Sequence, residues 1–117
     1  MSLHPIPLSS VRKIGVGLAR PEDVVVSRDG RVWASDQQSA CAEVLPDGSL
    51  RRLGKAGGAP NGINMDLEGR IVIANFFDGP VQRLDIGTGE VTTNVWLSVP
   101  PSDHPENTCR VPFTTGR

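Results

Sequence analysis

Aromatic side chains and long apolar runs are scarce in this chain of 117 residues. Tyrosine is absent and aromatic residues make up only 4% of the sequence, so a core must rest on valine, isoleucine, leucine and alanine. No run of about 18 apolar residues occurs, which excludes a transmembrane helix. The N-terminal residues also show no apolar stretch of signal-peptide length. We therefore expect a cytoplasmic protein that does not bind membranes.

The chain also lacks an excess of either charge sign and contains few cysteines. Twelve basic and thirteen acidic residues leave a formal net charge of -1, which gives no long-range attraction to nucleic acid. Nucleic acid is therefore not an expected partner. The two cysteines, Cys41 and Cys109, are too few for a disulfide framework. We expect both to be free thiols in a reducing compartment, with Cys41 as a small core residue.

Glycine and proline, in contrast, are abundant, with 13 and 10 residues. Such punctuation suits short strands joined by turns. These segments repeat: residues 20–50 align with residues 59–91 at an offset of 39, which becomes 41 after an insertion at "IGTGE". The alignment places Gly30 opposite Gly69 and Leu45 opposite Leu84. A period near 40 residues is typical of a propeller blade.

Each repeat predicts four strands. The first repeat offers "EDVVVS", "RVWASD", "ACAEVL" and "SLRRLG", and the second offers "GINMD", "RIVIAN", "PVQRLD" and "EVTTNVW". Asp29-Gly30 separates the first two strands and favours a primed turn, because glycine adopts positive φ without cost. Glu68-Gly69 marks the corresponding hairpin of the second repeat.

The predicted fold class is all-β, a partial β-propeller with about two four-stranded blades and one extra outer strand in "VRKIG". The predicted parts are an N-terminal segment (1–18), two blades (19–57 and 58–97) and a Pro-rich irregular tail (98–117). Propellers close with about four to eight blades, so two blades leave strand edges open to another chain. We therefore expect a fragment, a truncated product or part of an assembly, with self-association through those edges.

Residues 14–92 resemble the gluconolactonase family (senescence marker protein/regucalcin-like), within the wider six-bladed propellers that include strictosidine synthase and paraoxonase. The resemblance rests on "GLARPEDVVVSRDGRVWASD", "LPDGSLRRLG" and "GGAPNGINMDLEGRIVIAN", followed by "VQRLDIGTGEV". It implies a partial six-bladed propeller, one divalent cation at the top of the central channel, and metal-dependent hydrolysis of a small lactone or ester. Ca²⁺ is the expected cation, with Mg²⁺, Mn²⁺ and Zn²⁺ as alternatives.

Glu22 and Asn61 occupy the type of position that holds the cation in that family. Geometry gives the same placement, because equivalent residues at the starts of innermost strands point at a common axis, and their oxygens suit a hard cation. Asp23 and Asn75 are weaker candidates for the substrate channel. No catalytic residue is identified, because the later-blade Asp that the resemblance implies as ligand and base has no match here. Glu22 also follows Pro21, which is nearer to the paraoxonase and strictosidine synthase pattern.

Each candidate has a structural alternative. Glu22 and Asp23 could equally be exposed polar residues at the start of a strand, and Asn61 could be a turn residue before glycine. Asn75, like Asp36, ends a second strand and could simply form a turn. One or two oxygens do not hold a cation that takes six or more, so we expect this chain to be inactive alone. A non-catalytic propeller that binds a ligand or a protein is the alternative function.

Overall fold

The computed structural model describes residues 3–77 and 79–96, and within them eight strands form two antiparallel sheets. Blade 1 contains β1 (Val24–Val26), β2 (Val32–Ser35), β3 (Cys41–Val44) and β4 (Leu50–Leu53) in that order. Blade 2 contains β5 (Pro60–Met65), β6 (Ile71–Asn75), β7 (Pro80–Leu84) and β8 (Val91–Trp96). The predicted all-β class and the two successive four-stranded units are confirmed, as in a partial propeller. No helix of the described residues is long and apolar enough to cross a membrane.

The two predicted hairpins form, but their turns are not primed. Gly30 N donates to Ser27 O at 2.9 Å, and Gly30 has a φ of 86°. A primed turn also needs positive φ at a non-glycine position such as Asp29, and Arg20 is the one non-glycine residue with positive φ among the described residues. The chain instead reverses over three residues and ends in a glycine bulge. Gly69, with a φ of 77°, closes the second hairpin in the same way.

The extra outer strand predicted at residues 11–15 is not a strand in the described residues. One 3₁₀ turn, Leu8–Ser10, precedes this segment, and Val11 and Ile14 are 57% and 58% exposed. An outermost strand needs an inner strand beside it. In both described sheets that outer position is already filled, by β4 and β8. The predicted tail (98–117) and Cys109 lie outside the described residues.

Strand pairing preserves the repeat, with one difference from the sequence alignment. Val32 pairs with Val44 in blade 1, and the equivalent Ile71 pairs with Leu84 in blade 2. Val44, not Leu45, is therefore the counterpart of Leu84. Counted between equivalent paired positions, the hairpin from Ala74 to Val81 in blade 2 is one residue longer than the hairpin from Ser35 to Cys41 in blade 1. A gap-free alignment across these strands could not detect that insertion.

The core lies between the two sheets. Its buried residues come from both blades: Trp33, Ala40, Cys41, Ile63, Ile71, Ile73 and Leu84. The Sγ of Cys41 lies 3.1 Å from Ala34 O, to which it donates, and burial raises the pKa of the Cys41 thiol to about 12. Cys41 is thus the small core residue that was predicted, and its thiol is held in the unreactive protonated form.

A charged cluster lies against Trp33, the largest core side chain. The guanidinium of Arg31 stacks 4.6 Å from the Trp33 ring centroid. Glu43 accepts from Arg31 Nε at 2.7 Å and pairs with Arg51 Nη2 at 2.6 Å. These contacts, with the Arg31 hydrogen bond as the largest, lower the pKa of Glu43 to about 2. The cluster places a fully paired carboxylate beside the inter-blade core.

Candidate functional site

Glu22 and Asn61 lie at the same end of the two innermost strands. Glu22 comes two residues before β1, and Asn61 is the second residue of β5. The two strands are neighbours, since Ile63 N donates across the blades to Asp23 Oδ2 at 2.9 Å. The structure therefore brings both predicted ligand candidates to one edge of the molecule. We call this edge, formed by Glu22, Asp23 and Asn61, the inner rim.

A β-bulge sets the position of Asn61. The β5–β6 register runs from Pro60↔Asn75 to Ile63↔Ile73, so β5 contains one more residue than β6 over this interval. Bulges of this kind redirect side chains and are common beside functional sites. Asn61 is half-buried within the bulge. The segment thus redirects the chain, as the structural alternative predicted, and also keeps Asn61 on the inner rim.

The carboxylate of Glu22 is exposed on the inner rim beside an arginine. Its Oε1 lies 3.2 Å from Arg20 Nη2, and both side chains remain more than a third exposed. The Arg20 guanidinium also lies 5.5 Å from the ring centroid of Phe76 in blade 2. Phe76 packs edge-to-face on Phe77, and both rings are more than 60% exposed. The inner rim, with its carboxylates and amide, therefore adjoins a guanidinium and an open aromatic surface.

Asp23 links the two blades, and both of its carboxylate oxygens accept backbone hydrogen bonds. Its Oδ2 accepts from Ile63 N, and its Oδ1 accepts from Val24 N at 2.9 Å. The backbone N–H groups of Glu22 and Asp23 both donate to the buried hydroxyl of Ser35, at 2.9 and 3.0 Å. Ser35 was missed by sequence reasoning. The sequence did carry a signal for this role. Asp23 and Ser35 are polar, whereas the equivalent positions of blade 2 hold Gly62 and Ala74.

Asn75 is 5% exposed and holds the segment that leads into blade 2. Its Oδ1 accepts from Ala59 N at 3.0 Å, and its Nδ2 donates to Gln82 Oε1 at 3.1 Å. Asp36 does the same in blade 1, where its Oδ1 accepts from Ala19 N at 2.8 Å. The structure therefore gives Asn75 the structural role of its repeat partner and not a place on the inner rim.

The inner rim of one chain does not fit a divalent cation. Ca²⁺ takes about six to eight oxygens, whereas Glu22 and Asn61 are the rim residues whose side-chain oxygens are not committed to the backbone. Within residues 3–77 and 79–96, no three His, Cys, Asp or Glu residues lie close enough to hold a metal ion. These two blades can supply only part of an oxygen ligand set.

Two grooves flank the innermost strands. One, of about 400 Å³, lies beside β1 and is lined by Glu22 and Asp23 together with apolar residues that include Leu18 and Val44. The other, of about 450 Å³, opens between the two hairpins at the opposite ends of β1 and β5 and contains none of the predicted site residues. The first groove is therefore the one that adjoins the inner rim.

Replacing Asp23 with alanine is expected to lower the free energy of unfolding by about 1–2 kcal/mol, because the substitution removes the acceptor that links the blades. Urea unfolding followed by circular dichroism measures the change. Asp47→Ala is the matched control, since the Asp47 carboxylate accepts only from nearby Ser49 in an exposed turn. Equal effects of the two substitutions would contradict a linking role for Asp23.

Comparison with known families supports the propeller architecture. A family model described as "Strictosidine synthase-like, N-terminal" matches residues 7–38, which run from the N-terminal segment through β2 and include Glu22 and Asp23. The match covers about a quarter of the chain and supports the wider propeller group that contains strictosidine synthase. It does not single out the gluconolactonase family. No curated protein sequence matches this chain.

Proposed function

We propose that this chain contributes two blades, residues 19–57 and 58–97, to a gluconolactonase-like propeller that hydrolyses a small lactone or ester. The observation that carries the proposal is the placement of Glu22 and Asn61 at equivalent positions on adjacent innermost strands. The cation that we propose for the complete rim is Ca²⁺, with Mg²⁺, Mn²⁺ or Zn²⁺ as alternatives. We also place the chain in the cytoplasm, in line with the buried free thiol of Cys41.

The residues of the inner rim have different proposed roles in binding. Glu22 offers carboxyl oxygens, Asn61 offers an amide oxygen, and Asp23 holds the two strands in register through Ile63 N. The exposed Phe76 and Phe77 rings supply apolar surface for the organic part of a substrate. We assign the role of general base to none of the described residues, so hydrolysis requires a group that they do not supply.

A non-catalytic binding propeller is the second candidate function. The observation that favours it is the exposed Phe76–Phe77 pair with Arg20 beside it, because aromatic residues and arginine are enriched where proteins bind partners. In that case the rim would bind a ligand or protein without turnover, and substitution of Phe76 would weaken binding more than substitution of Glu22.

The isolated chain is expected to show no Ca²⁺-dependent lactone hydrolysis, because its described residues offer no candidate for the general base that activates water. Turnover of a small lactone by residues 1–117, with and without chelator, is the measurement. Turnover that disappears on chelation would overturn the proposed incompleteness of the site.

Grafting residues 20–75 into a complete homologous propeller tests the roles of the rim residues. In the graft, Glu22→Gln is expected to weaken Ca²⁺ binding more than Asn61→Ala, because it removes a charge as well as an oxygen ligand. Glu68→Gln, an exposed carboxylate in the β5–β6 turn, is the control and should leave Ca²⁺ affinity unchanged. Unchanged affinity in the Glu22→Gln graft would remove Glu22 from the site.

A further inference from the structure

Each blade has a near face, which enters the shared core, and a far face on the opposite side. The cross-strand pairs define both faces. The far face of blade 1 consists of Val24, Val26, Val32, Ala34, Ala42, Val44, Leu50 and Arg52. The near face of blade 2 consists of Ile63, Met65, Ile71, Ile73, Gln82, Leu84, Val91 and Thr93. The far face of blade 2 consists of Asn64, Val72, Ala74, Val81, Arg83, Thr92 and Val95.

The far face of blade 1 has the same pattern as the near face of blade 2. The two sets occupy equivalent positions of the repeat, and six of the eight positions are apolar in both blades; at the other two, Ala42 and Arg52 of blade 1 correspond to Gln82 and Thr93 of blade 2. Ile63 is 7% exposed because blade 1 covers it, whereas its equivalent Val24 is 59% exposed. The innermost-strand part of the surface that takes a neighbouring blade in blade 2 is therefore open in blade 1, whereas Ala34, Ala42 and Val44 are buried.

The far face of blade 2 is equivalent in the repeat to the near face of blade 1. The near face of blade 1 is the surface that packs on the near face of blade 2. Val72 and Val81 stand where blade 1 has Trp33 and Cys41. Arg83 stands at the position of Glu43, and it is also neutralised within its own blade, with its Nε 3.3 Å from Asp66 Oδ2. The described residues thus carry both halves of one type of interface, with Val24 and Val26 exposed on one half and Ala74 and Val95 exposed on the other.

The N-terminal segment also marks the far face of blade 1 as an inter-blade surface. Gly15 and Gly54 are one repeat apart, and their φ angles are 75° and 64°. A Cβ on Gly15 would lie 3.2 Å from Val44, and a Cβ on Gly54 would lie 2.9 Å from Leu84, the counterpart of Val44. The segment around Gly15 therefore lies against the far face of blade 1. It occupies the place that the connection after β4 occupies between the two blades.

We propose that a second copy of this chain covers the open face, with the far face of its blade 2 packed on the far face of blade 1. Such a head-to-tail contact repeats from copy to copy and closes into a ring when the rotation allows it. Propellers close with about four to eight blades, so rings of two, three or four copies fit, and three copies give the six blades of the resemblance. The contact buries the groove beside Glu22.

Closure would place Glu22 and Asn61 of every copy around one axis. The ring adds rim oxygens but no new type of residue, so the absence of a general base in the proposed function is unaffected. The inference rests on the chain supplying propeller blades and not on the proposed hydrolysis. Because its test measures mass and not turnover, failure of the ring is distinguishable from failure of the proposed function.

Sedimentation equilibrium of residues 1–117 is expected to give one species of two, three or four times the 12.5 kDa chain mass. Val26→Arg blocks one half of the interface and Ala74→Arg blocks the other, and both positions are exposed in the single chain. Each variant alone should be a monomer. An equimolar mixture should form a dimer, because each variant keeps the half that the other has lost.

Leu67→Arg is the matched control, since it adds the same charge on a fully exposed turn outside both faces and should leave the ring intact. Circular dichroism checks that all variants keep their strand content. A monomeric unsubstituted chain would overturn the proposal. So would an assembly that survives both Val26→Arg and Ala74→Arg, since edge-to-edge pairing of strands does not involve these faces.

Discussion

Replacing Trp33 with alanine is expected to lower the free energy of unfolding by about 3–5 kcal/mol, the largest effect that we expect from a single substitution. Trp33 is fully buried in the core between the two blades, and Arg31 stacks on its ring. Deleting the ring leaves a cavity at the contact on which the two sheets depend. A domain of this size has only about 5–15 kcal/mol of stability in total, so the substitution would remove a large share of it.

Urea unfolding followed by far-UV circular dichroism measures this loss. Phe76→Ala is the matched control, because it removes an aromatic ring that is 62% exposed and should change the free energy of unfolding by less than about 1 kcal/mol. If Trp33→Ala were as mild as the control, the two blades would not share the core described here.

Replacing Glu43 with glutamine is expected to cost about 2 kcal/mol at neutral pH, because Arg31 and Arg51 lose the carboxylate between them. This value is below that of a fully buried pair, since both arginines are at least a third exposed. The effect should depend on pH. The pKa of Glu43 is lowered from 4.5 to about 2, so its stabilisation is complete above pH 4.5 and disappears as pH falls toward 2.

Unfolding free energies measured across pH 2–7 test this prediction. The Glu43→Gln variant should show a smaller decline in stability between pH 4.5 and 2 than the unsubstituted chain. Glu90→Gln replaces an exposed carboxylate and should leave both the stability and its pH dependence close to those of the unsubstituted chain. A Glu43→Gln variant with an unchanged pH profile would show that the Arg31–Glu43–Arg51 cluster contributes nothing to folding.

The two sheets were predictable because local signals recur in both repeats. Glycine after an acidic residue at Gly30 and Gly69, between β-rich runs, was enough to place the hairpins. The turn type was not predictable, since Asp-Gly fits both a primed turn and a three-residue loop with one glycine at positive φ. The shift from Leu45 to Val44 was also hidden, because an apolar residue occupies either position and the inserted residue lies in a loop.

The placement of Glu22 and Asn61 followed from the repeat alone, because equivalent strand starts meet at one end of adjacent blades. The role of Asp23 did not. Its partner is the backbone N–H of Ile63, 40 residues away, and sequence patterns do not specify which N–H of a neighbouring blade faces a carboxylate. The Arg20 contact with Phe76 of blade 2 was hidden for the same reason, since it depends on how the blades pack.

The most direct test of the central claim, that two successive blades share one core, is a methyl-edited NOESY spectrum of the chain. The account predicts cross-peaks from the Trp33 indole protons in blade 1 to methyl groups of Ile71, Ile73 or Leu84 in blade 2. Cross-peaks from Trp33 confined to residues of blade 1, with strand-type NOEs present within each sheet, would contradict it.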